Sequence, residues 1–434
     1  MSVDNKSSAE RSRSIPNGWV ETTLGEVCLK IGSGSTPRGG NEAYKKEGIS
    51  LIRSQNILDF DFSYNGLAFI DDEQASKLSN VEIFDDDVLI NITGDSVARV
   101  CSVPKEVLPA RVNQHVSILR TVKQELNPTF LKYYLLNPIY KRYLLILANS
   151  GGTRNALTKS MLEMLELTIP PIKEQTAIAK ILTAFDDKIE NLQAQNKTLE
   201  TTAQTIFKEW FGKYQIGDEL PDGWRVGKLG EVIEFINGYA FKSKDLLKEP
   251  TENTYKVFKM GDIKKGGGFN QNKTKSYFKR EDAMKLSKYI LKNGDLLMSM
   301  TDMKDAISLL GHTALMIYDN EYIVNQRVGL IRVKNDINID YPFLYLLTND
   351  KHFIANLRGR ANSGVQVNLS TQSIKESQFI IPNKETNIKF DAIAKPLFEK
   401  RKHNYIEIKT LKNTRDTLLP KLMSGSLRVK MSEL

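Results

Sequence analysis

One pattern is written twice along this chain. Pro16-Asn17-Gly18-Trp19, followed by Leu24-Gly25-Glu26-Val27, returns as Pro221-Asp222-Gly223-Trp224, followed by Leu229-Gly230-Glu231-Val232, an offset of 205 in 434 residues. Asp87-Val88-Leu89 through Thr93 pairs with Asp295-Leu296-Leu297 through Thr301. Val112-Asn113-Gln114 and Ile118-Leu119-Arg120 pair with Val324-Asn325-Gln326 and Leu330-Ile331-Arg332. Ala148-Asn149-Ser150-Gly151 matches Ala361-Asn362-Ser363-Gly364, and Ile169-Pro170 matches Ile381-Pro382. The offset drifts only from 205 to 213, so these are two diverged copies of one unit. A solenoid needs at least about three repeats. Two copies imply a pseudo-dimer within one chain, suited to a target that is itself bipartite.

Hydrophobic residues make up 41% of the chain, enough to bury a core in each of several domains. No run of about 18 apolar residues occurs, and the polar, basic start lacks the apolar stretch of a signal peptide. Cys28 and Cys101 could pair, but two scattered thiols without metal-ligand spacing fit a reducing compartment better. A cytoplasmic location without a membrane partner is therefore expected. The net charge is +9 and unevenly placed: residues 235–380 hold 22 basic and 15 acidic groups, whereas residues 21–169 hold 16 and 18. A basic excess is compatible with a polyanion, because phosphate contacts release condensed counterions. The acidic stretches Asp71-Asp72-Glu73 and Asp85-Asp86-Asp87 would not face a phosphate backbone, so the first copy needs a local basic face.

Each copy reads as a mixed α/β globular half followed by a long helix. Val88 to Ile92 and Val116 to Leu119 are short, apolar and β-branched, which predicts strands. Tyr133 to Leu147 has helical spacing with a break at Pro138, and Phe343 to Leu357 is its counterpart. The Gly-rich segments at 32–40 and 266–268 are expected to be loops. After Pro171 a heptad begins. Ile178, Leu182, Phe185, Ile189, Leu192, Asn196, Leu199, Ala203, Ile206 and Trp210 alternate at spacings of four and three. The matching slots of the second copy are Phe390, Ala394, Leu397, Arg401, Asn404, Ile408, Leu411, Arg415, Leu418 and Leu422. Pro396 is expected to kink this second helix or mark where it becomes regular, and Pro420 to end it. Each seam alone would expose an apolar stripe, so antiparallel packing of the two helices is the simplest solution. The expected domains are 1–170, the helix 171–213, then 214–382 and the helix and tail 383–434.

Catalytic motifs are imitated rather than met. Lys30-Ile31-Gly32-Ser33-Gly34 resembles a loop that cradles S-adenosylmethionine, but the residues after it open a helix poorly. Asn137-Pro138-Ile139-Tyr140 is one residue from an adenine-holding Asn-Pro-Pro-Tyr motif, yet it reads as lying inside an amphipathic helix. Gly223 to Lys228 has Leu229 where a phosphate loop needs Ser or Thr. Pro221-Asp222 could begin a nuclease metal site, but the first copy has Pro16-Asn17 there, which favours a turn. Four histidines, with His115 replaced by Arg327 in the second copy, leave no paired site. No catalytic residue and no metal ligand is assigned.

The order of these elements resembles the specificity subunit of a type I restriction-modification system. Pro-Asn/Asp-Gly-Trp with Leu-Gly-Glu is similar to the start of its target-recognition domains. Ile169-Pro170-Pro171 with Glu174-Gln175 and Ile178 is similar to its central conserved helix, and Leu418 to Gly425 to its C-terminal ending. The second copy departs in having Glu385-Thr386-Asn387 where the first has Glu174-Gln175. The resemblance implies two target-recognition domains separated by an antiparallel two-helix coiled coil, reading the halves of a split double-stranded DNA sequence. It implies two methylation subunits and restriction subunits as partners, with S-adenosylmethionine, ATP and magnesium on those partners and no cofactor in this chain. Two other readings stay open: a self-contained adenine methyltransferase, and a coiled-coil scaffold without a DNA role.

Base edges are read by Arg, Lys, Asn and Gln, while Ser and Thr more often hold phosphate. The candidates in the first copy are Ser33, Ser35, Thr36, Arg38, Arg53, Gln55, Asn56, Thr93, Arg99 and Arg154. In the second they are Lys242, Lys244, Lys259, Lys264, Lys265, Thr301, Lys304, Arg358 and Arg360. The shared Asn113-Gln114 and Asn325-Gln326 should be structural or phosphate-directed, since the copies are expected to read different bases. Trp19 and Trp224 are expected to be core anchors.

Overall fold

A computed structural model describes residues 15–37, 39–150, 155–271, 273–303, 307–335, 337–363 and 366–429. The chain forms two compact units, one from residues up to Asn191 together with those from Glu407 onward, the other from Leu192–Ile406. Each unit holds one globular repeat and part of each long helix.

The repeats share a topology. In the first unit an antiparallel sheet runs in the order Cys28–Ser33, Val116–Thr121, Val88–Asn91, Val100–Ser102. In the second unit the same order is filled by Ile233–Asn237, Val328–Val333, Leu296–Ser299 and Thr313–Leu315. A second sheet places Ile49–Ile52 parallel to Ala110–Val112, as Thr254–Phe258 lies parallel to Tyr322–Val324. Ser33 thus ends a strand rather than sitting in a loop: the alternation of the sheet continues until Gly34, whose amide bonds the Asn113 carbonyl at 3.1 Å.

The repeated motifs are the joints of this topology. The amides of Trp19 and Trp224 bond the carbonyls of Pro16 and Pro221 at 3.0 and 2.9 Å, closing turns in which Gly18 and Gly223 have φ of 81° and 74°. Such values suit glycine, which has no Cβ to clash. Both prolines therefore open turns, as the comparison of copies predicts. The strand after each turn pairs with the strand before each long helix: Val20 opposite Ile169, and Arg225 opposite Ile381. Each globular part thus begins and ends at one place. Asp87 accepts both Nε and Nη2 of Arg120 at 2.8 and 2.7 Å, and Asp295 accepts the same atoms of Arg332 at 2.8 and 2.9 Å. The recurring Asp and Arg are one bidentate ion pair, a geometry that only a planar guanidinium provides.

The long helices are Ile172–Phe211 and Lys384–Met423, 40 residues each. All twenty seam positions are buried or half-buried. In the first unit Asp186 meets Arg415 at 2.7 Å and Lys188 meets Glu407 at 3.4 Å, so numbers rise on one helix as they fall on the other. In the second unit Glu200 meets Arg401 at 2.9 Å and Gln195 meets Asn404 at 3.4 Å, again antiparallel. Asn196 is 4% exposed, and neither its amide nitrogen nor its oxygen has a partner among the described residues. Such a group costs about 1–3 kcal/mol and favours a single register in return.

Two expectations about prolines and helices need correction. The C-terminal helix runs through Pro396 and does not stop at Pro420. Leu419, Leu422 and Met423 bury its last turn in the first unit's core, which offsets the one hydrogen bond that Pro420 cannot donate. Its end is set at Gly425, with φ 69°. Nor does Asn137 lie inside a helix. It separates Pro128–Leu136 from Pro138–Asn149, and its side chain accepts the Ile139 amide at 3.2 Å as the cap of the second. Asp350 caps the equivalent helix Lys351–Gly359 through the amides of His352 and Phe353. Trp19 is buried, while Trp224 is half-buried against Phe211 and Tyr214. Cys28 and Cys101 are both free, and burial pushes each thiol up to about 12. Among the described residues no helix is long and apolar enough to cross a membrane.

Candidate nucleic-acid interface

The shared Val-Asn-Gln segment organises a surface in each unit. A Cβ on Gly34 would lie 1.7 Å from the Val112 carbonyl oxygen, and one on Gly238 would lie 2.0 Å from that of Asn325. The glycine that imitates a cofactor loop is therefore required by backbone packed against it. After Gln114 comes His115, whose carbonyl accepts the Ile92 amide at 3.0 Å; after Gln326 comes Arg327, whose carbonyl accepts the Met300 amide at 3.0 Å. This places His115 beside Thr93 and Arg327 beside Thr301.

In the first unit several candidates converge. Gln55, Thr93 and Arg99 line one open cleft of about 390 Å³, together with Ser54, Asp95, Ser96 and His115. The imidazole is held there, with Nδ1 2.6 Å from Thr93 Oγ1 and Nε2 3.1 Å from Gln114 Nε2. Thr36 reaches the same network by donating its hydroxyl to Gln114 Oε1. Arg53, which precedes Ser54 in sequence, is not among the cleft's lining residues and has its guanidinium on the Gly66 carbonyl at 2.6 Å. Asn56 does not belong to the surface: it is fully buried, accepting the Arg53 amide at 3.0 Å and donating to the Ser63 carbonyl at 2.8 Å. Ser33 and Ser35 are exposed, and Ser33 borders a separate depression beside Lys30. Arg38, Arg154 and Lys304 lie outside the described residues, as do Gly151 and Gly364 of the shared motif.

The second unit offers the same positions with other side chains. Lys259 caps a short turn through Asp262 just as Arg53 does through Asn56, with its amide 2.7 Å from Asp262 Oδ2. Its ammonium donates to Ser276 Oγ at 2.7 Å. Thr301 contacts Met260 Sδ at 3.4 Å. Lys242, Lys244, Lys264 and Lys265 are exposed. Arg358 and Arg360 are committed to backbone, bonding the carbonyls of Leu310 at 3.0 Å and Glu376 at 3.2 Å. Burial lowers the pKa of Arg358. Burial also lowers that of His312, whose Nδ1 donates to Asn349 Oδ1 at 3.2 Å.

The first unit's acidic stretches are answered locally. Asp71 pairs with Lys45 at 3.5 Å, Asp85 with Lys105 at 2.9 Å and Asp86 with Lys123 at 2.7 Å. Their charge is thus offset where it arises.

Residues 16–201 and 221–410 each match the type I restriction modification DNA specificity domain. This chain belongs to that family. It is 25% identical over 436 residues to the type I restriction enzyme MjaIX specificity subunit of Methanocaldococcus jannaschii, covering 96% of this chain and 95% of the relative. It is 24% identical over 467 residues to the HindI specificity subunit of Haemophilus influenzae, covering 94% and 99%. The crystal structure of the type-I restriction-modification system S subunit from M. genitalium shares the fold at a TM-score of 0.57 and 18% identity, covering 95% of this chain and 97% of that one. In this specificity subunit Gln175 explains why the central helix starts where it does. Fully buried, it donates to the carbonyls of Glu125 and Pro170 and accepts the Asn127 amide, all at 2.8 Å. Asn387 stands at the matching place, one methylene shorter, and among the described residues its side chain keeps only the Pro382 carbonyl at 3.2 Å. The departure in the second copy therefore shortens the same clasp. Sequence reading missed His115 and Arg327 as surface residues, although their place directly after the shared Asn-Gln was a signal.

Proposed function

We propose that this specificity subunit reads a bipartite double-stranded DNA sequence, one half with each globular repeat, and so directs adenine methylation and restriction by its partner subunits. The observation that carries this reading is one backbone arrangement with changed residues in the two units: Arg53, Gln55 and His115 in one stand where Lys259, Gly261 and Arg327 stand in the other, around a threonine common to both, Thr93 and Thr301. A shared scaffold with changed donors is what two different half-sites require. In this reading the target-recognition domains span 1–170 and 214–382, with 171–213 and 383–434 as the connecting helices and tail. Two methylation subunits and restriction subunits would carry S-adenosylmethionine, ATP and magnesium, in the cytoplasm. The methyltransferase rival loses its two motifs, because Gly34 is needed for packing against Val112 and Asn137 is a helix cap.

The test is to map methylated adenines in DNA exposed to the methylation subunits with and without this chain. Methylation at a split sequence only when the chain is present supports the reading. Methyl transfer by the chain alone would establish the rival.

A further inference from the structure

The surface described above holds an exchange between the two units. Strand pairing sets Ile90 opposite Val100 in the first unit and Met298 opposite Thr313 in the second. One residue further, the Asn91 amide bonds the Arg99 carbonyl at 2.9 Å and the Ser299 amide bonds the His312 carbonyl at 3.0 Å. Just before them, Ala98 and Gly311 both have positive φ, 64° and 80°. Arg99 and His312 are therefore equivalent. His115 and Arg327 are equivalent as well, through their bonds to Ile92 and Met300. Each unit carries one arginine and one histidine on this surface, at opposite positions of the pair.

The two arginines are uncommitted. Neither guanidinium has a hydrogen bond or ion pair among the described residues, whereas Arg53, Arg120, Arg332, Arg358 and Arg360 all do. Arg99 lines the cleft, and Arg327 is exposed with φ 70°, a conformation in which a non-glycine residue is strained. The histidines are the opposite case: His115 is held by Thr93 and Gln114, and His312 by Asn349. A free guanidinium offers two parallel donors that match O6 and N7 of guanine in the major groove. A neutral imidazole offers one donor and one acceptor, and here neighbours take both or one of them.

We propose that Arg99 and Arg327 determine specificity, each reading a guanine in the half-site of its own unit, from the two different members of one structurally equivalent pair of positions. This rests on the DNA-reading function proposed above. The two units then place their guanine-reading forks at different points of a common scaffold, which makes the half-sites differ even where other contacts are shared.

The experiment uses the full chain assembled with its methylation subunits and a randomised DNA library, with methylated sites mapped for wild type, Arg99→Ala, Arg327→Ala and the charge-keeping Arg99→Lys and Arg327→Lys. Arg99→Ala is expected to lose roughly tenfold to hundredfold discrimination at a guanine of one half-site, and Arg327→Ala the same at a guanine of the other. The lysine variants, with wild-type unfolding temperatures, should lose discrimination too while keeping more of the DNA affinity, because one ammonium cannot replace a planar fork. Unchanged half-sites with uniformly weaker binding and a shallower salt dependence would overturn the proposal in favour of phosphate contacts. Full discrimination retained by the lysine variants would overturn it as well. Absence of split-site methylation in the wild-type assembly would instead overturn the function on which it rests.

Discussion

The two units fasten a globular repeat to the helix pair by the same chemistry but not by the same residues. In the first, the Tyr133 hydroxyl donates to Asp186 at 2.6 Å and Arg415 binds the other carboxylate oxygen at 2.7 Å. In the second, the Tyr345 hydroxyl donates to Glu200 at 2.7 Å and Arg401 binds it at 2.9 Å. The tyrosines are equivalent, 212 residues apart. The acids and arginines are not, for a true twofold would move Asp186 onto the C-terminal helix, where Phe398 stands. Both carboxylates lie on the central helix and both arginines on the C-terminal helix. The lesson is that duplication preserved the joints and let the seams become complementary, so that each helix prefers the other to a copy of itself.

The largest test of that contrast strikes a joint common to both units. Asp87 is 1% exposed and Asp295 is 4% exposed, and each holds a bidentate arginine. Asp87→Ala and Asp295→Ala should each cost about 3–5 kcal/mol, because a half-buried guanidinium is left unpaired. Chemical denaturation should show comparable losses in the two variants. A loss confined to one would mean that the joints are not equivalent.

A smaller effect should appear where the seams differ. Asn196 occupies the slot that Ile408 fills on the other helix, and its amide is buried without a partner among the described residues. Asn196→Leu is expected to stabilise the chain by about 1–3 kcal/mol, read from its denaturation midpoint. Destabilisation would show that the amide has a partner and a structural duty in the seam.

The smallest effect depends on pH. Burial, with Asp340 nearby, pushes the Asp391 carboxyl up to about 6. The matching residue of the first unit is Ala179, buried and neutral. A raised carboxyl pKa means that the folded state keeps a proton that the unfolded chain releases near 4. Stability is therefore lost as pH rises from about 4 to about 6, and the penalty persists above that. Asp391→Asn should gain at most about 1 kcal/mol at pH 7, after screening by solvent, and nothing below about pH 4. An equal gain at both pH values would assign the effect to packing.

Much of this was legible in the sequence. The repeated Pro-Asn/Asp-Gly-Trp is a turn and the heptads are seams, because short-range stereochemistry and burial fix such residues in place; that the repeated Asp and Arg form one ion pair emerges only from the fold. Arg53 with Lys259 and Thr93 with Thr301 could be chosen from residue type alone. The Arg–His exchange could not. Arg99 follows Thr93 by 6 residues and His312 follows Thr301 by 11, so the equivalence is hidden by loops of different length and emerges only from strand register. Nor could the burial of Asn56, whose amide caps a turn that no periodicity announces. Pro420 misled for a related reason: burial of Leu419 and Met423 outweighs a local rule.

The central claim is that one unit reads one half-site. Each repeat starts and ends on one pair of antiparallel strands, Val20–Thr23 with Glu166–Ile169 in the first, so residues 21–169 can be exchanged as a block. Replacing them with the corresponding residues of another member of the family, and mapping methylated adenines with the assembled complex, is the direct measurement. The expected result is a change in one half of the recognised sequence, with the other half kept. A change in both halves, or in neither, would contradict it.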